Sequence, residues 1–239
     1  MDTPDYQPIK QPKVSTLIVE QIKSHILQGN LSPGDPLPSE RELMKLFNVS
    51  RASLREALNI LHGMGFVIIS QRKRTRVKSL VPDSFVEPIH ALLKEDRETL
   101  FDVIEVRKCM ESWNAYYAAE RASDAEIERL KHIIDSMMSQ GPKKQRLIDN
   151  DARFHVSISD MTHNKIQSHL MFSIYGVIQN SVIISYEDSQ TQEILEEHLN
   201  IYQAIKKRDP KLARLEMKHH LDRVQARIHL FFGGKGATS

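Results

Sequence analysis

The sequence predicts a mostly α-helical protein with two parts, an N-terminal winged helix–turn–helix and an all-α C-terminal part. Apolar residues recur at the spacing of an α-helix along most of the 239 residues. That spacing gives way to short, β-branched runs only around residues 66–77. The chain has only 9 glycines, which argues against a β-sandwich or a glycine-rich nucleotide-binding fold.

Three helices are predicted before the β-branched runs. Ser39 and Glu42 stand three residues apart and form a capping box that begins the second helix. Ser50 lies in a tight turn and is a good N-cap for the third helix, which Gly63 and Gly65 stop. The predicted helices are residues 14–28, 40–47 and 51–62.

A β-hairpin is predicted to follow the third helix. Residues 66–69 form a short apolar strand, residues 71–74 a turn, and residues 75–77 the returning strand. Helices followed by a hairpin, in this order, predict a winged helix–turn–helix domain over residues 13–79. Residues 79–82 form the predicted domain boundary.

Every predicted element beyond this boundary is a helix, within a domain over residues 83–232. Gly141-Pro142 and Asp209-Pro210 separate helices, and each proline suits a helix start. Disordered segments are expected over residues 1–12 and 233–239. The predicted helices lie near residues 84–94, 98–120, 124–140, 143–162, 165–186, 191–208 and 211–231.

The charge is distributed unevenly along the chain. Residues 1–80 contain 12 Lys and Arg against 7 Asp and Glu, and residues 81–239 contain 21 against 24. A basic first third and a mildly acidic remainder favour a nucleic-acid-binding module joined to a domain with another task.

Composition also excludes some locations. No run approaches the roughly 20 apolar residues of a membrane span, and the N-terminus lacks the pattern of a secretory signal. The one cysteine, Cys109, cannot form an internal disulfide, which suggests a reducing compartment. We therefore expect a cytoplasmic protein that does not enter a membrane.

Basic residues gather where a winged helix–turn–helix contacts DNA. Arg51 and Arg55 lie one turn apart at the start of the third helix, where an arginine can donate two hydrogen bonds to guanine. Ser53 is small enough to allow close approach, and Arg41 can contact the DNA backbone. Each arginine alone could be a solvated charge, but the whole pattern indicates DNA binding. The hairpin adds a cationic tip for phosphates or the minor groove, consisting of Arg72, Lys73, Arg74, Arg76 and Lys78.

Two runs, Leu37 to Met44 and Val49 to Leu58, resemble the DNA-binding signature of the GntR family of bacterial transcription regulators. The resemblance implies a winged helix domain, dimeric binding to operator DNA and a C-terminal effector domain. This sequence departs from the family at the wing tip, where Arg72 replaces the usual glycine. The residues that match the family's DNA contacts are Arg41, Arg51, Ser53 and Arg55.

A second constellation consists of residues that ligate metals. Asp151 and His155 are spaced i, i+4 on one apolar helix face, and His198 and His220 each lie on the apolar face of another helix. One carboxylate and three imidazoles suit Zn, Mn or Ni. The alternative is that each histidine is hydrogen-bonded in the core, and periodicity alone does not show that the three helices meet.

The stretch Asp151 to His155, with His198 and His220, resembles the C-terminal ligand-binding domain of the FadR subfamily. The resemblance implies an antiparallel bundle of six or seven helices, which also mediates dimerisation. In metal-bearing members these four positions hold the ion beneath an effector cavity. The acyl-CoA-binding founder lacks this set, so we expect a small organic acid or sugar acid rather than a fatty acyl effector.

Arg107 is a candidate effector-binding residue. Glu105, Arg107 and Glu111 resemble a stretch in the first long helix of the same subfamily. A guanidinium beside a metal can hold a carboxylate with two hydrogen bonds. An intrahelical ion pair between Arg107 and Glu111 is the alternative.

These patterns leave three functional hypotheses. The first is a transcription regulator without enzymatic activity, and the resemblance implies a repressor. Its operator binding would respond to an acid bound at a metal ion, most readily zinc. The second is a metal-dependent hydrolase with a DNA-binding appendage, although the sequence lacks HExxH, nucleophile-elbow and P-loop motifs. The third is an architectural DNA-binding protein whose metal is structural.

Overall fold

The computed structural model describes residues 12–70, 74–95, 98–139, 144–182 and 191–233. Within this part of the chain it contains ten α-helices and a single two-stranded sheet, which confirms the predicted mostly α fold class. The expected disordered lead and tail lie outside the described residues, except for Pro12 and Gly233.

The backbone contacts divide the chain into two compact units, residues 1–80 and 81–239. The first unit contains α1 (Val14–Gln28), α2 (Glu40–Phe47), α3 (Arg51–Gly63), β1 (Val67–Ile68) and β2 (Arg76–Val77). The second unit contains α4 (Asp83–Glu95), α5 (Glu98–Arg121), α6 (Asp124–Ser139), α7 (Lys144–Asp160), α8 (Lys165–Val182), α9 (Thr191–Lys206) and α10 (Pro210–Gly233).

Several helix ends differ from the sequence prediction by one or two residues, and two of them involve a glycine. Gly63 is the last residue of α3 rather than its stop, and the αL conformation that turns the chain belongs to Gly65, with φ of 79°. Helix α10 continues to Gly233, where the tail was expected to begin. Glycine is permissive enough to extend a helix by one residue, so its position in the sequence marks an end only approximately.

The first unit folds around apolar faces of all three helices. Leu54, Leu58 and Leu61 of α3 are buried against Ile18 and Ile22 of α1. The hairpin is joined to this core by residues 34–37, whose backbone pairs with β2: the Val77 amide donates to the Asp35 carbonyl at 3.0 Å, and the Leu37 amide to the Thr75 carbonyl at 2.8 Å. The wing is therefore fixed to the helix–turn–helix at its base.

The capping box at the start of α2 forms as predicted. The Glu42 amide donates to Ser39 Oγ at 3.3 Å, and the Ser39 amide donates to Glu42 Oε2 at 2.7 Å. Hydrogen bonds with the hydroxyl and the amide of Ser39 lower the pKa of Glu42. Two donors that would otherwise lack a helical partner are thus satisfied.

Replacing Ser39 with alanine is expected to destabilise the first unit, because it removes the N-cap acceptor of α2. The expected loss is about 0.5–2 kcal/mol of the free energy of unfolding, measured by chemical denaturation. Ser24→Ala is the control, since the Ser24 hydroxyl accepts from the Gln28 side chain and caps no helix. Equal stability of the two variants would contradict the capping role.

The second unit is a helical bundle in which α5, α7 and α9 point the same way. Arg121 Nη1, at the end of α5, donates to the Thr162 carbonyl just after α7 at 2.9 Å. Arg208, just after α9, donates to the Ala122 carbonyl just after α5. The C-terminal ends of the three helices therefore meet, and α10 packs along α5 in the opposite direction. None of the helices in the described ranges is long and apolar enough to cross a membrane.

Candidate metal centre and DNA-facing surface

Three of the four predicted ligands, all histidines, meet inside the second unit, and Asp151 lies beside two of them. Asp151 and His155 project from α7, His198 from α9 and His220 from α10, and all four are at most 4% exposed. His198 Nε2 lies 3.1 Å from Asp151 Oδ1 and 3.3 Å from His155 Nε2. One nitrogen from each of the three histidines lies within 4.8 Å of the other two. The structure thus brings together helix faces that periodicity could only describe one at a time.

The Nδ1 atoms of all three imidazoles face acceptors, and those of His198 and His220 are hydrogen-bonded to them. His198 Nδ1 donates to the Ile194 carbonyl at 2.7 Å, and His220 Nδ1 lies 2.8 Å from Glu197 Oε2. His155 Nδ1 lies 2.5 Å from Glu111 Oε2. Because all three partners are acceptors, the ring proton belongs on Nδ1 and the lone pair on Nε2. Such outer partners orient histidine ligands in metal sites.

The electrostatics of the site keep a metal-ligating imidazole neutral. Burial lowers the pKa of His220 to about 3, although the hydrogen bond with Glu197 acts in the opposite direction. Burial alone would raise the pKa of Glu197, but His220 and Arg227 lower it to about 2. His220 is therefore neutral and Glu197 ionised at ordinary pH, as metal ligation through Nε2 requires.

The other two carboxylates are also ionised. Burial would raise the pKa of Asp151, but the neighbouring His198 and the charges of other groups close by hold it well below its usual range. Burial acts in the same direction on Glu111, whose pKa Arg107 and His155 lower to about 2. A buried set of ionised carboxylates needs positive charge nearby.

These residues fit a divalent transition metal. His220 Nε2 is buried without a hydrogen-bond partner, and an unpaired buried polar atom is costly. Four ligand atoms about 2.1 Å from one tetrahedral zinc ion lie roughly 3.4 Å apart, close to the distances between Asp151, His155 and His198. A metal would give the free Nε2 atom a partner and compensate the carboxylates.

Arg107 is 3% exposed and pairs within its own helix, as one of the two interpretations predicts. Its Nε donates to Glu111 Oε1 at 2.6 Å, and its terminal nitrogen donates to the Tyr175 hydroxyl. Charge on Glu111, and to a smaller extent on Asp151, raises the pKa of Arg107 against the effect of burial. The guanidinium therefore adjoins the candidate ligands, and its contact with an effector stays a prediction.

Sequence reasoning missed three contributors to the site. Glu197 orients His220, Arg227 of α10 pairs with Glu197, and Tyr175 of α8 lies in a stack on His155 with centroids 5.3 Å apart. Two signals were available. Glu197 directly precedes a predicted ligand, and Arg227 stands seven residues after His220, on the same helix face. Tyr175 carried no signal, because α8 contains no predicted ligand.

On the predicted DNA-facing surface, the two predicted base-reading arginines share one carboxylate. Arg51 Nε lies 3.5 Å and Arg55 Nε 3.4 Å from Oε2 of Glu40, the first residue of α2. The arginine side chains are 67% and 60% exposed. Leu54 and Leu58 are buried on the opposite face of α3, so the predicted orientation of the arginines agrees with the structure.

The other residues predicted to contact DNA differ in how exposed they are. Arg41 and Arg74 are exposed, whereas Ser53 is half-buried with its Oγ 3.0 Å from Ser50 Oγ. Arg72 and Lys73 lie outside the described residues. One member of the expected cationic tip has an internal role, since Arg76 donates to the Gly34 carbonyl at 2.6 Å.

Two regions of the chain match described families. Residues 15–77 match the family described as bacterial regulatory proteins, gntR family. Residues 102–223 match the FCD domain, and this region contains all four candidate ligands.

Proteins similar to this chain in sequence are named as transcription regulators. The chain is 29% identical over 226 residues to the Glc operon transcriptional activator of Escherichia coli, covering 90% of this chain and 89% of that protein. It is 30% identical over 230 residues to the HTH-type transcriptional repressor NanR of Cronobacter sakazakii, covering 92% and 87%. Among solved structures, the Streptococcus agalactiae GntR has a TM-score of 0.52 at 20% identity, covering 89% of this chain and 99% of that one. This last likeness concerns the fold alone.

Proposed function

Because the chain belongs to the GntR family of bacterial regulatory proteins and carries an FCD domain, we propose that it is a cytoplasmic, metal-dependent transcription regulator. In this proposal the first unit binds operator DNA through α3 and the wing, and the second unit binds a small organic acid or sugar acid. Relatives include both an activator and a repressor by name. We propose repression that the effector relieves.

The observation that carries the proposal is the buried meeting of His155, His198 and His220, with the Asp151 carboxylate beside the first two. These four residues would hold the ion, with zinc the first expectation and Mn or Ni the alternatives. A bound divalent ion supplies positions for oxygen atoms of an acid. Arg107, which adjoins the set, would orient the carboxylate of that acid.

Charge counting supports an anionic effector. The described, buried groups around the imidazoles include three carboxylates and two guanidinium groups, for a net charge of −1, and a divalent ion changes this to +1. One carboxylate restores neutrality, which a buried site favours. The groups counted are Asp151, Glu111, Glu197, Arg107 and Arg227.

The effector response requires that the acid prefer one arrangement of the bundle. The candidate ligands and Arg107 come from α5, α7, α9 and α10, so an acid held among them contacts several helices. A preference of roughly 1–3 kcal/mol for one arrangement changes operator affinity about 5–150-fold.

We propose a homodimer on a two-fold symmetric operator, because one recognition helix and one wing make few base contacts. An aromatic cluster on α5 supports an interface: Trp113 is 40% exposed, packs with Tyr116 and Tyr117, and lies under the Arg214 guanidinium at 3.9 Å. Analytical ultracentrifugation of the free protein and of its DNA complex tests this, and a stable complex of one monomer with DNA would contradict it.

Replacing Glu197 with glutamine is expected to weaken zinc binding about 10–100-fold, the usual cost of losing an outer partner of a histidine ligand. The carboxylate that orients His220 is lost while all four ligands remain. Competition with a chromophoric chelator measures the affinity. Glu196→Gln is the matched control, since Glu196 is exposed on the same helix and pairs with Gln192. Equal affinities of the two variants would contradict the orienting role.

The decisive experiment is to identify what the purified protein carries, by elemental analysis and native mass spectrometry. Stoichiometric transition metal together with a small acid that changes operator affinity would support the regulator. Metal with no effect of any acid on DNA affinity would favour an architectural protein. Turnover of phosphate or peptide esters by the metal-loaded protein would favour the hydrolase.

A further inference from the structure

The Glu40 carboxylate lies beside the two predicted base-reading arginines, on a surface where DNA phosphates favour positive charge. Its Oε2 atom is close to the Nε atoms of both Arg51 and Arg55, at 3.5 and 3.4 Å. The Glu40 side chain is 38% exposed. An acidic residue shared by two base-reading arginines needs an explanation, because it reduces attraction to phosphate.

The position of Glu40 is determined by the local structure. It is the first residue of α2 and follows the N-cap Ser39, whose capping box holds the helix start. A negative charge is favourable there because it faces the positive end of the helix dipole. Leu43, one turn later, is buried in the core of the unit. The carboxylate is thus mounted on a rigid element.

The contacts through Nε have a consequence for both guanidinium groups. Guanine is read by two parallel hydrogen bonds, which the terminal nitrogens of an arginine can donate while Nε stays on a carboxylate. Arginine loses considerable rotamer freedom when it binds, and a partner that already restricts it reduces that cost. One carboxylate here restricts two arginines that are one turn apart.

We propose that Glu40 is a positioning residue for sequence reading, which orients Arg51 and Arg55 together and lowers affinity for unrelated DNA. It therefore increases specificity more than affinity. This inference rests on the proposed use of α3 as the recognition helix. It goes beyond that use by assigning to a residue of α2 a role in distinguishing the operator sequence from unrelated DNA.

The test compares two duplexes, one selected by the wild-type protein from a random library and one with the same bases scrambled. Glu40→Gln is expected to lower the ratio of the two affinities by about tenfold or more, while affinity for the scrambled duplex is unchanged or higher. Fluorescence anisotropy at fixed salt measures both affinities.

Glu56→Gln is the matched control. Glu56 lies on α3, its side chain is 49% exposed, and it pairs with Lys13 at 3.6 Å rather than with either arginine. This variant removes the same charge from the same unit, so it shows any general gain in DNA affinity, and its ratio is expected to equal that of the wild type. A similar fall in both variants would overturn the proposal.

A structural effect of the substitution is separated by thermal unfolding, in which Glu40→Gln is expected to keep the cooperative transition of the wild-type protein. Glu40→Asp keeps the charge at the helix start but shortens the reach by one methylene, and its ratio is expected to fall below that of the wild type too. A wild-type ratio in Glu40→Gln or Glu40→Asp overturns the proposal, and so does a fall in the ratio that accompanies loss of the cooperative unfolding transition. If the wild-type protein selects no duplex, the proposed function itself fails.

Discussion

Loss of bound metal and of the effector response is the expected result of replacing His198 and His220 together with alanine. Each contributes an Nε2 atom to the set, and His220 Nε2 has no other partner. Asp151 and His155 alone leave two ligands on one helix, too few for a closed site in which three or four protein ligands are usual. DNA binding is expected to persist, because its residues belong to the other unit.

Elemental analysis after dialysis measures the metal, and anisotropy with and without the acid measures the response. Circular dichroism verifies that the bundle is folded. His219→Ala is the control, since His219 neighbours a ligand in sequence but is exposed, and it is expected to lose neither property. Stoichiometric metal and a retained effector response in the double variant would refute both the ligand assignment and the coupling.

A second large effect is expected for Arg51→Ala and Arg55→Ala, which should abolish sequence-specific DNA binding without unfolding the first unit. Both side chains are mostly exposed, so stability depends little on them. Loss of a bidentate base contact costs roughly 1–3 kcal/mol, and a symmetric dimer loses it twice. Operator titrations, with thermal unfolding as the check on folding, measure the effect.

The dependence on salt separates the base-reading arginines from phosphate contacts. If a dimer contacts about 8 phosphates, log K against log[salt] should have a slope near roughly −7. Lys73→Ala is expected to weaken all sequences about equally, whereas either arginine variant should lose selectivity. Wild-type operator affinity in the alanine variants would show that these arginines do not contact the operator. A slope of log K against log[salt] near zero would contradict the predicted contacts with phosphates.

The helices were predictable because their signals are local. Apolar spacing predicted every helix in the described ranges, and the Ser39–Glu42 capping box placed the start of α2 at the correct residue. The polar face of α3 followed from the same periodicity, since Leu54 and Leu58 define the buried side.

The metal centre was predictable only in part, because periodicity assigns a residue to a face but not to a neighbour. It placed Asp151 and His155 on one inward face, yet only packing brings His198 and His220 to them. The partners Glu197 and Tyr175 come from contacts between helices far apart in the sequence. For the same reason, the sequence does not decide whether Arg107 binds an effector or pairs with Glu111. A partner four residues later and the site in the bundle lie on the same helix face.

The near-complete burial of the four candidate ligands also has a kinetic consequence. With exposures of 0–4% for Asp151, His155, His198 and His220, neither a chelator nor the proposed acid can reach the ligand atoms while the helices stay packed. Exchange must wait for local opening of the bundle, whose rate is a property of the protein and not of the chelator. At high chelator concentration, release of the ion therefore becomes independent of that concentration. If the proposed metal site is occupied, the protein is expected to report, on short timescales, the metal supply present when it folded rather than the supply at the time of measurement.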